Sequence, residues 1–287
     1  MALFTLNFES QYLCNNTEVS VIMPDRPRNI DAADFYSSGK KYPVMWLLHG
    51  TFGDHTDWVR HTNIELYACE RDVIVVMPSA LNSDYNNWPN FGMGFDMEKA
   101  LIDELMPMIH NWFPASGKRE DNFVCGLSMG GMGAGHYAAW YPEKFGGCAM
   151  LSGCPSDPRV SLESAKTAKA DTPLAKAIRA DVRGNNQINS VGGPEKYLGS
   201  HRNDWDRFGK LAKTGELPKL YAADGTKDFL YEGNYLVFKK YAEEIGLDVT
   251  FEEIEGYNHE WRFWDITVQK AMDFFGLGVD TDAGNQF

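Results

Sequence analysis

A serine framed by glycines, Gly126-Leu127-Ser128-Met129-Gly130, is the first place in this sequence where residue type and spacing could do chemistry. A strand-to-helix turn tight enough to demand glycine two residues to either side leaves the central hydroxyl exposed as a nucleophile. The flanks fit that geometry. Residues 122–125 read as a strand, and the small residues from Gly131 to Tyr141 read as a helix stopped by Pro142. A helix N-terminus beneath the serine favours developing negative charge. The five-residue pattern alone is weak, because short Gly/Ser strings arise by chance; its context sets it apart from a glycine-rich turn in an unrelated α/β protein.

A serine hydroxyl needs a base, and the base needs an orienting acid, in the chain order serine, acid, histidine for this kind of turn. Beyond Ser128, His136 falls inside the small-residue helix and His201 in a polar stretch. His259, in Gly256-Tyr257-Asn258-His259-Glu260-Trp261, falls in a loop between a strand ending at 254 and a helix beginning near 263, where a base can lean over the strand ends. Two carboxylates compete for the acid, both in Ala222-Ala223-Asp224-Gly225-Thr226-Lys227-Asp228-Phe229-Leu230. Asp228 is favoured because it lies deeper in the loop, beside apolar Phe229 and Leu230 that would shield its bond to the imidazole. Asp224, at the strand terminus, is better placed to hold the turn. Glu260 and Asp265 read as residues at a helix start. The oxyanion of acyl transfer needs backbone donors. Met129 supplies one, and Thr51 the other, in Leu48-His49-Gly50-Thr51-Phe52-Gly53, where Gly50 permits the chain reversal.

These residues must be held by a sheet. Short β-rich apolar runs at 43–48, 73–77, 123–125, 148–151, 220–223 and 249–254 alternate with helical periodicity at 97–113, 231–245 and 263–275. That alternation predicts an α/β fold with a mostly parallel central sheet flanked by helices. Residues 3–8 and 18–23 look like an antiparallel opening pair, so one edge is expected to be mixed. The stretch 156–217 is polar, with weak helical pieces at 173–179 and 205–212, and is read as an insertion after the nucleophile half, either a cap over the site or a peripheral excursion. One domain over 1–275 and a frayed tail over 276–287 complete the expected organisation.

Composition narrows the function classes. A formal net charge of -13 over 287 residues, with no offsetting Lys/Arg run, argues against nucleic-acid and membrane-surface partners. No apolar run approaches the ~20 residues needed to cross a bilayer. The five cysteines (Cys14, Cys69, Cys125, Cys148 and Cys154) are dispersed and lack Cys-x-x-Cys spacing, against a disulfide framework or zinc site. They fit a reducing cytoplasm. Met1 to Glu9 shows neither a basic region nor a sustained apolar one, so no export signal is expected.

The motifs Trp46-Leu47-Leu48-His49-Gly50-Thr51-Phe52-Gly53-Asp54, Cys125-Gly126-Leu127-Ser128-Met129-Gly130-Gly131, Gly225-Thr226-Lys227-Asp228-Phe229-Leu230 and His259-Glu260-Trp261-Arg262-Phe263-Trp264-Asp265 together carry a family likeness. The chain resembles the esterase D and tributyrin-esterase group of α/β-hydrolases, which includes the family-one carbohydrate esterases acting on acetyl-xylan and feruloyl esters. The likeness runs to about residue 275. It implies Ser128 as nucleophile, Asp228 as acid, His259 as base and the Thr51 and Met129 amides as oxyanion hole, which supports Asp228 over Asp224.

The resemblance implies hydrolysis of short-chain acyl, acetylated-carbohydrate or feruloyl esters through an acyl-enzyme, with no metal or organic cofactor and a small-molecule or carbohydrate ester as partner. A homo-oligomer stays open. S-formylglutathione hydrolases look similar around the serine, but Glu-Trp-Arg-Phe-Trp-Asp after the histidine is nearer the tributyrin and carbohydrate esterases. Mycolyltransferases share the architecture but are secreted. From another class, a non-catalytic carbohydrate-binding homologue is opposed by the intact serine, acid and histidine. Around the predicted mouth, Phe52, Trp58, Trp88, Phe91, Phe229 and Trp264 are candidates to stack on a substrate ring.

Overall fold

The computed structural model describes residues 1–279; most of the expected tail, 280–287, lies outside them. The strands are β1 (Ala2–Ser10), β2 (Asn15–Met23), β3 (Val44–Leu48), β4 (Ile74–Pro78), β5 (Asn122–Leu127), β6 (Gly147–Leu151), β7 (Lys219–Gly225) and β8 (Val249–Ile254). They form one sheet in the order β1-β2-β4-β3-β5-β6-β7-β8. β1 and β2 pair antiparallel with each other, and β2 runs antiparallel to β4. Every pairing from β4 through β8 is parallel. This is the mixed edge and mostly parallel sheet that the apolar runs predict.

β3 to β6 read as unbroken apolar runs because both of their faces are covered. Successive side chains alternate between two cores. Val44, Trp46 and Leu48 enter one, together with the helices at 97–112, Met129–Trp140, Asp204–Leu211 and 231–245. Met45 and Leu47 enter the other, with α1 (Asp57–His61), α2 (Ile64–Glu70) and the last helix, Trp261–Phe274. Besides short helices at Ala32–Ser37 and Pro194–Tyr197, the further helices in chain order are α3 (97–112), α4 (Met129–Trp140), α5 (Pro158–Thr167), α6 (Pro173–Ala177), α7 (Ala180–Ser190), α8 (Asp204–Leu211), α9 (231–245) and α10 (Trp261–Phe274). Within α3, Pro107 has no N–H to give to the preceding turn, and the helix widens into a π-turn over Ala100–Leu105 just before it.

The polar insertion leaves the end of β6 and returns into β7. It is more helical than its composition suggests. Besides the expected pieces at 173–179 and 205–212, α5 and α7 form and pack together around a small cluster of Ala165, Ile188 and Tyr197. α8 instead lies on α4, placing Trp205 and Phe208 in the first core. All five cysteines are free, Cys14 exposed and the other four buried. Among the described residues no helix is long and apolar enough to cross a membrane.

Candidate active site

Ser128 stands between β5 and α4 with φ 53° and ψ -117°, a backbone conformation that a residue with a side chain adopts at a cost of about 1–3 kcal/mol. The glycines on either side make that turn sterically feasible. A Cβ on Gly126 would lie 2.3 Å from the Gly130 carbonyl oxygen, and one on Gly130 2.5 Å from that of Leu48. The Ser128 amide donates to Leu151 O at 2.8 Å, tying the turn to β6. Its carbonyl accepts from the Gly131 and Met132 amides, which starts α4 directly beneath the hydroxyl.

The loop after β7 brings Asp228 to the histidine. The Asp228 amide donates to Gly225 O at 2.9 Å, and the Leu230 amide donates to Asp228 Oδ1 at 2.8 Å. Asp228 Oδ2 then accepts from His259 Nδ1 at 2.7 Å, and His259 Nε2 lies 2.9 Å from Ser128 Oγ. The carboxylate fixes the imidazole tautomer, leaving Nε2 as the atom that can take the serine proton. Burial pushes the Asp228 carboxyl up, but the His259 and Leu230 bonds outweigh it and hold the group below the ordinary carboxylate value. The Phe229 ring lies 4.7 Å from the imidazole and Trp264 meets it edge-on at 4.9 Å, both limiting its access to water.

The other candidates are engaged elsewhere. Asp224 is fully buried at the end of β7, with Oδ1 accepting from the Gly225 amide at 2.8 Å. Glu260 precedes α10 and accepts from the Asn258 amide. Asp265 is in the second turn of α10 rather than at its start, and accepts from Tyr67 Oη and the Asn63 amide. His201 Nδ1 donates to Glu98 Oε2 at 2.7 Å and its ring stacks on Trp140, so its bonds lead away from Ser128. His136 is not a simple packing residue of α4. It is fully buried, bonded through Nδ1 to Asp204 at 2.8 Å, with Nε2 3.6 Å from Glu98.

Thr51 and Met129 line the cavity that holds Ser128 and His259, and neither amide has an acceptor among the described residues. The turn carrying Thr51 is braced by a residue that sequence inspection treated only as motif context. His49 is buried; its Nε2 accepts from the Ala80 amide at 2.9 Å and its Nδ1 donates to Gly50 O at 2.7 Å. Burial lowers its proton affinity, so the neutral ring that both bonds require is favoured.

The cavity measures about 380 Å³. Its inner wall is apolar, formed by Leu127, Met129, Met132 and Trp264, while Phe52 and Phe229 stand exposed at the rim. Leu174, Ile178 and Arg183 of the insertion close one side, so the segment covers part of the site. Composition hid this role. The signal was present as the apolar pair Leu174 and Ile178 at helical spacing within a polar stretch. Past Thr51, Phe52 and Ile178 the cavity continues into a second cleft of about 510 Å³ beside Asn82, Trp88 and Phe91. Trp88 and Phe91 thus belong to this annex rather than to the catalytic mouth. Trp58 belongs to neither. It is 1% exposed, in the second core, with its indole N–H donating to Leu48 O at 3.1 Å. α1 turns it in beneath the loop that follows β3, a placement that sequence proximity does not reveal. Among the described residues, no group of three His, Cys, Asp or Glu side chains could hold a metal ion.

Residues 10–233 match the Esterase family. An acetyl esterase of Caldicellulosiruptor saccharolyticus is 31% identical over 289 residues, spanning 98% of this chain and 100% of that protein. The structure of S-formylglutathione hydrolase (FrmB) from Staphylococcus aureus superposes with a TM-score of 0.74 at 29% identity, covering 96% of this chain and 99% of that one. A ferulic acid esterase, 19% identical with a TM-score of 0.65 over 96% of this chain and 97% of that one, shares the fold.

Proposed function

The chain belongs to the esterase family, and on that premise we propose that it cleaves short-chain acyl esters of carbohydrate alcohols through an acyl-enzyme on Ser128. One observation carries the reading: a single cavity is lined by Ser128 and the His259 that bonds it, with Asp228 bonded to that histidine from behind, and by Thr51 and Met129, whose amides have no acceptor among the described residues. In this mechanism His259 Nε2 takes the Ser128 proton as Oγ attacks the ester carbonyl. The imidazolium so formed is held by Asp228. The carbonyl oxygen, now an oxyanion, is received by the Thr51 and Met129 amides, each contributing about 3 kcal/mol to the transition state. His259 then protonates the leaving alcohol. Water repeats the sequence, attacking the acyl-enzyme with His259 as base and releasing the acid.

The substrate class rests on the two chambers. The inner wall suits a small acyl group, and the annex offers aromatic faces beside the amides of Asn82 and Asn186, a pairing suited to a sugar ring with its hydroxyls. The acetyl esterase relative supports the same reading. Purified protein should hydrolyse p-nitrophenyl acetate with a burst of p-nitrophenol, and Ser128→Ala should lose at least about 10³-fold in rate while keeping its circular dichroism. Activity surviving that substitution would remove Ser128 from the mechanism. A thioester reading is favoured by the likeness to S-formylglutathione hydrolase. Rates on acetylated xylan, methyl ferulate and S-formylglutathione rank the readings directly, and a dominant thioester rate would overturn the carbohydrate assignment.

A further inference from the structure

Behind the acid lies a second carboxyl that the mechanism above does not use. Asp224 is fully buried at the end of β7, and the turn that starts there folds Asp228 back, its amide bonded to Gly225 O. The two carboxyl groups are near enough that the charge of Asp228 acts directly on Asp224. Asp224 Oδ1 is satisfied by the Gly225 amide, but Oδ2 is shielded from solvent and has no donor. A buried carboxylate oxygen with no donor, set against another carboxylate, is an arrangement that costs several kcal/mol if both are ionised. It becomes a hydrogen bond if one of them carries a proton.

We propose that Asp224 is a positioning residue: it stays protonated and donates from Oδ2–H to the Asp228 carboxylate, holding that group square to His259. Which of the two keeps the proton follows from their donors. Asp228 already accepts from His259 and the Leu230 amide, bonds that stabilise its charge, whereas Asp224 accepts only one amide. Burial first, and then the Asp228 charge, push the Asp224 carboxyl well above the ordinary carboxylate range.

The groups facing Asp224 are Asp228 in its own loop, Ser152 and Cys154 after β6, and Tyr231 and Tyr235 on α9, and none of them is a cation. Burial and the Asp228 charge oppose ionisation, and the Gly225 amide and Ser152 hydroxyl only partly offset them. Glu253, opposite in register on β8, is itself bonded to Tyr231 and Lys239. Ser152 Oγ accepts from the Trp264 indole N–H at 3.1 Å, and its hydroxyl adjoins both carboxyls. Protonated Asp224 adds a donor to those that already hold Asp228. Ionising Asp224 at alkaline pH removes that donor and sets a second negative charge against Asp228.

The inference rests on the triad reading, but its first test needs no catalysis. The infrared spectrum of the native protein at neutral pH should contain the C=O stretch of a protonated carboxylic acid that disappears in Asp224→Asn. If the variant does not fold, the same band followed in the native protein should vanish on alkaline titration together with activity. Absence of the band at neutral pH, or its persistence in Asp224→Asn, overturns the proposal whether or not Ser128→Ala is inactive. Kinetically, Asp224→Leu should lower kcat about tenfold with little change in KM. Asp224→Asn, which restores a donor, should recover most of that loss and lack the alkaline decline of the native profile. A Leu variant with native kcat and native pH profile would show that Asp224 only fills space.

Discussion

Ser128 and Phe52 are both held with positive φ, and they face the same cavity. For Ser128 the strained conformation presents the hydroxyl. For Phe52, at φ 69°, it stands a ring that is 65% exposed upright between the catalytic chamber and the annex, with the Phe52 amide donating to Asn82 Oδ1 at 2.8 Å. Asp84 and Arg179, which line the annex, and Leu81 in the neighbouring hollow beside Trp88 and Phe91 share the left-handed backbone, and such clustering of strain is typical of a binding site. Asparagine tolerates this conformation far better than phenylalanine. Phe52→Asn should therefore keep its stability within about 1 kcal/mol by urea unfolding. The ratio of kcat/KM for an acetylated sugar over p-nitrophenyl acetate should fall. A ratio that stays level would separate the annex from substrate selection. Ser128, Asp228 and His259, which the structure joins by hydrogen bonds, were legible in sequence because each follows a strand end with a local signature. Trp58 was misassigned because only α1 decides where its indole points, and the coupling of Asp224 to Asp228 was not foreseen because both residues were weighed as rivals for one role.

Between elements, the joint that sequence could not reveal is the charge cluster linking α3, α4 and the insertion, with Glu98 and His136 buried at its centre and His201 at its exposed rim. Its members, Glu98, His136, His201 and Asp204, are scattered over a hundred residues, and no local pattern announces such pairing. Burial lowers the proton affinity of His136, but Asp204 and Glu98 outweigh it and raise the group to about 10. Burial likewise pushes Glu98 up, and the His136 and His201 bonds reverse it, holding the carboxyl below its usual range. The signs give a definite pH window. A histidine raised from about 6.5 contributes its full stability below that value and loses it as pH climbs toward 10, whereas Glu98 contributes above the ordinary carboxylate value and loses its share in acid. His136→Leu should cost about 3–5 kcal/mol near neutral pH, because Glu98 is left buried without its partner. In denaturant titrations the gap between native and variant should narrow as pH rises from about 6.5 to about 10. A gap that is constant with pH would mean that His136 contributes by packing alone. β3 to β7, by contrast, were readable because burial on both faces leaves apolar runs, and β8, half-exposed at the sheet edge, was readable from its β-branched residues Val249, Thr250 and Ile254. α5 and α7 escaped because they bury few side chains. Asp157, whose side chain accepts from the Arg159 amide, followed by Pro158 at the first helical turn, was the available sign of α5.

Over the whole molecule the net charge of -13 sets the field that a substrate meets. An anionic ester must approach against it, and a neutral one is indifferent. Raising the ionic strength, so that the screening length shortens from about 30 to about 8 Å, should increase kcat/KM for anionic esters and thioesters and leave neutral acetates unchanged. Equal responses would place the excess charge away from the cavity mouth.

The insertion has a further consequence at this scale. It begins at the end of β6 and returns into β7, two strands that are hydrogen-bonded neighbours, and it reaches the cavity through Leu174, Ile178 and Arg183. Ser128, Asp228 and His259 are all anchored in the sheet and its short loops. A segment with both feet planted side by side can be lengthened, trimmed or exchanged without altering the register of any strand. The part that reaches the cavity, 158–197, is separable from Asp204, Trp205 and Phe208, which belong to the buried frame, so a chimera carrying a relative's equivalent of 158–197 is expected to shift substrate preference toward that relative without loss of the frame.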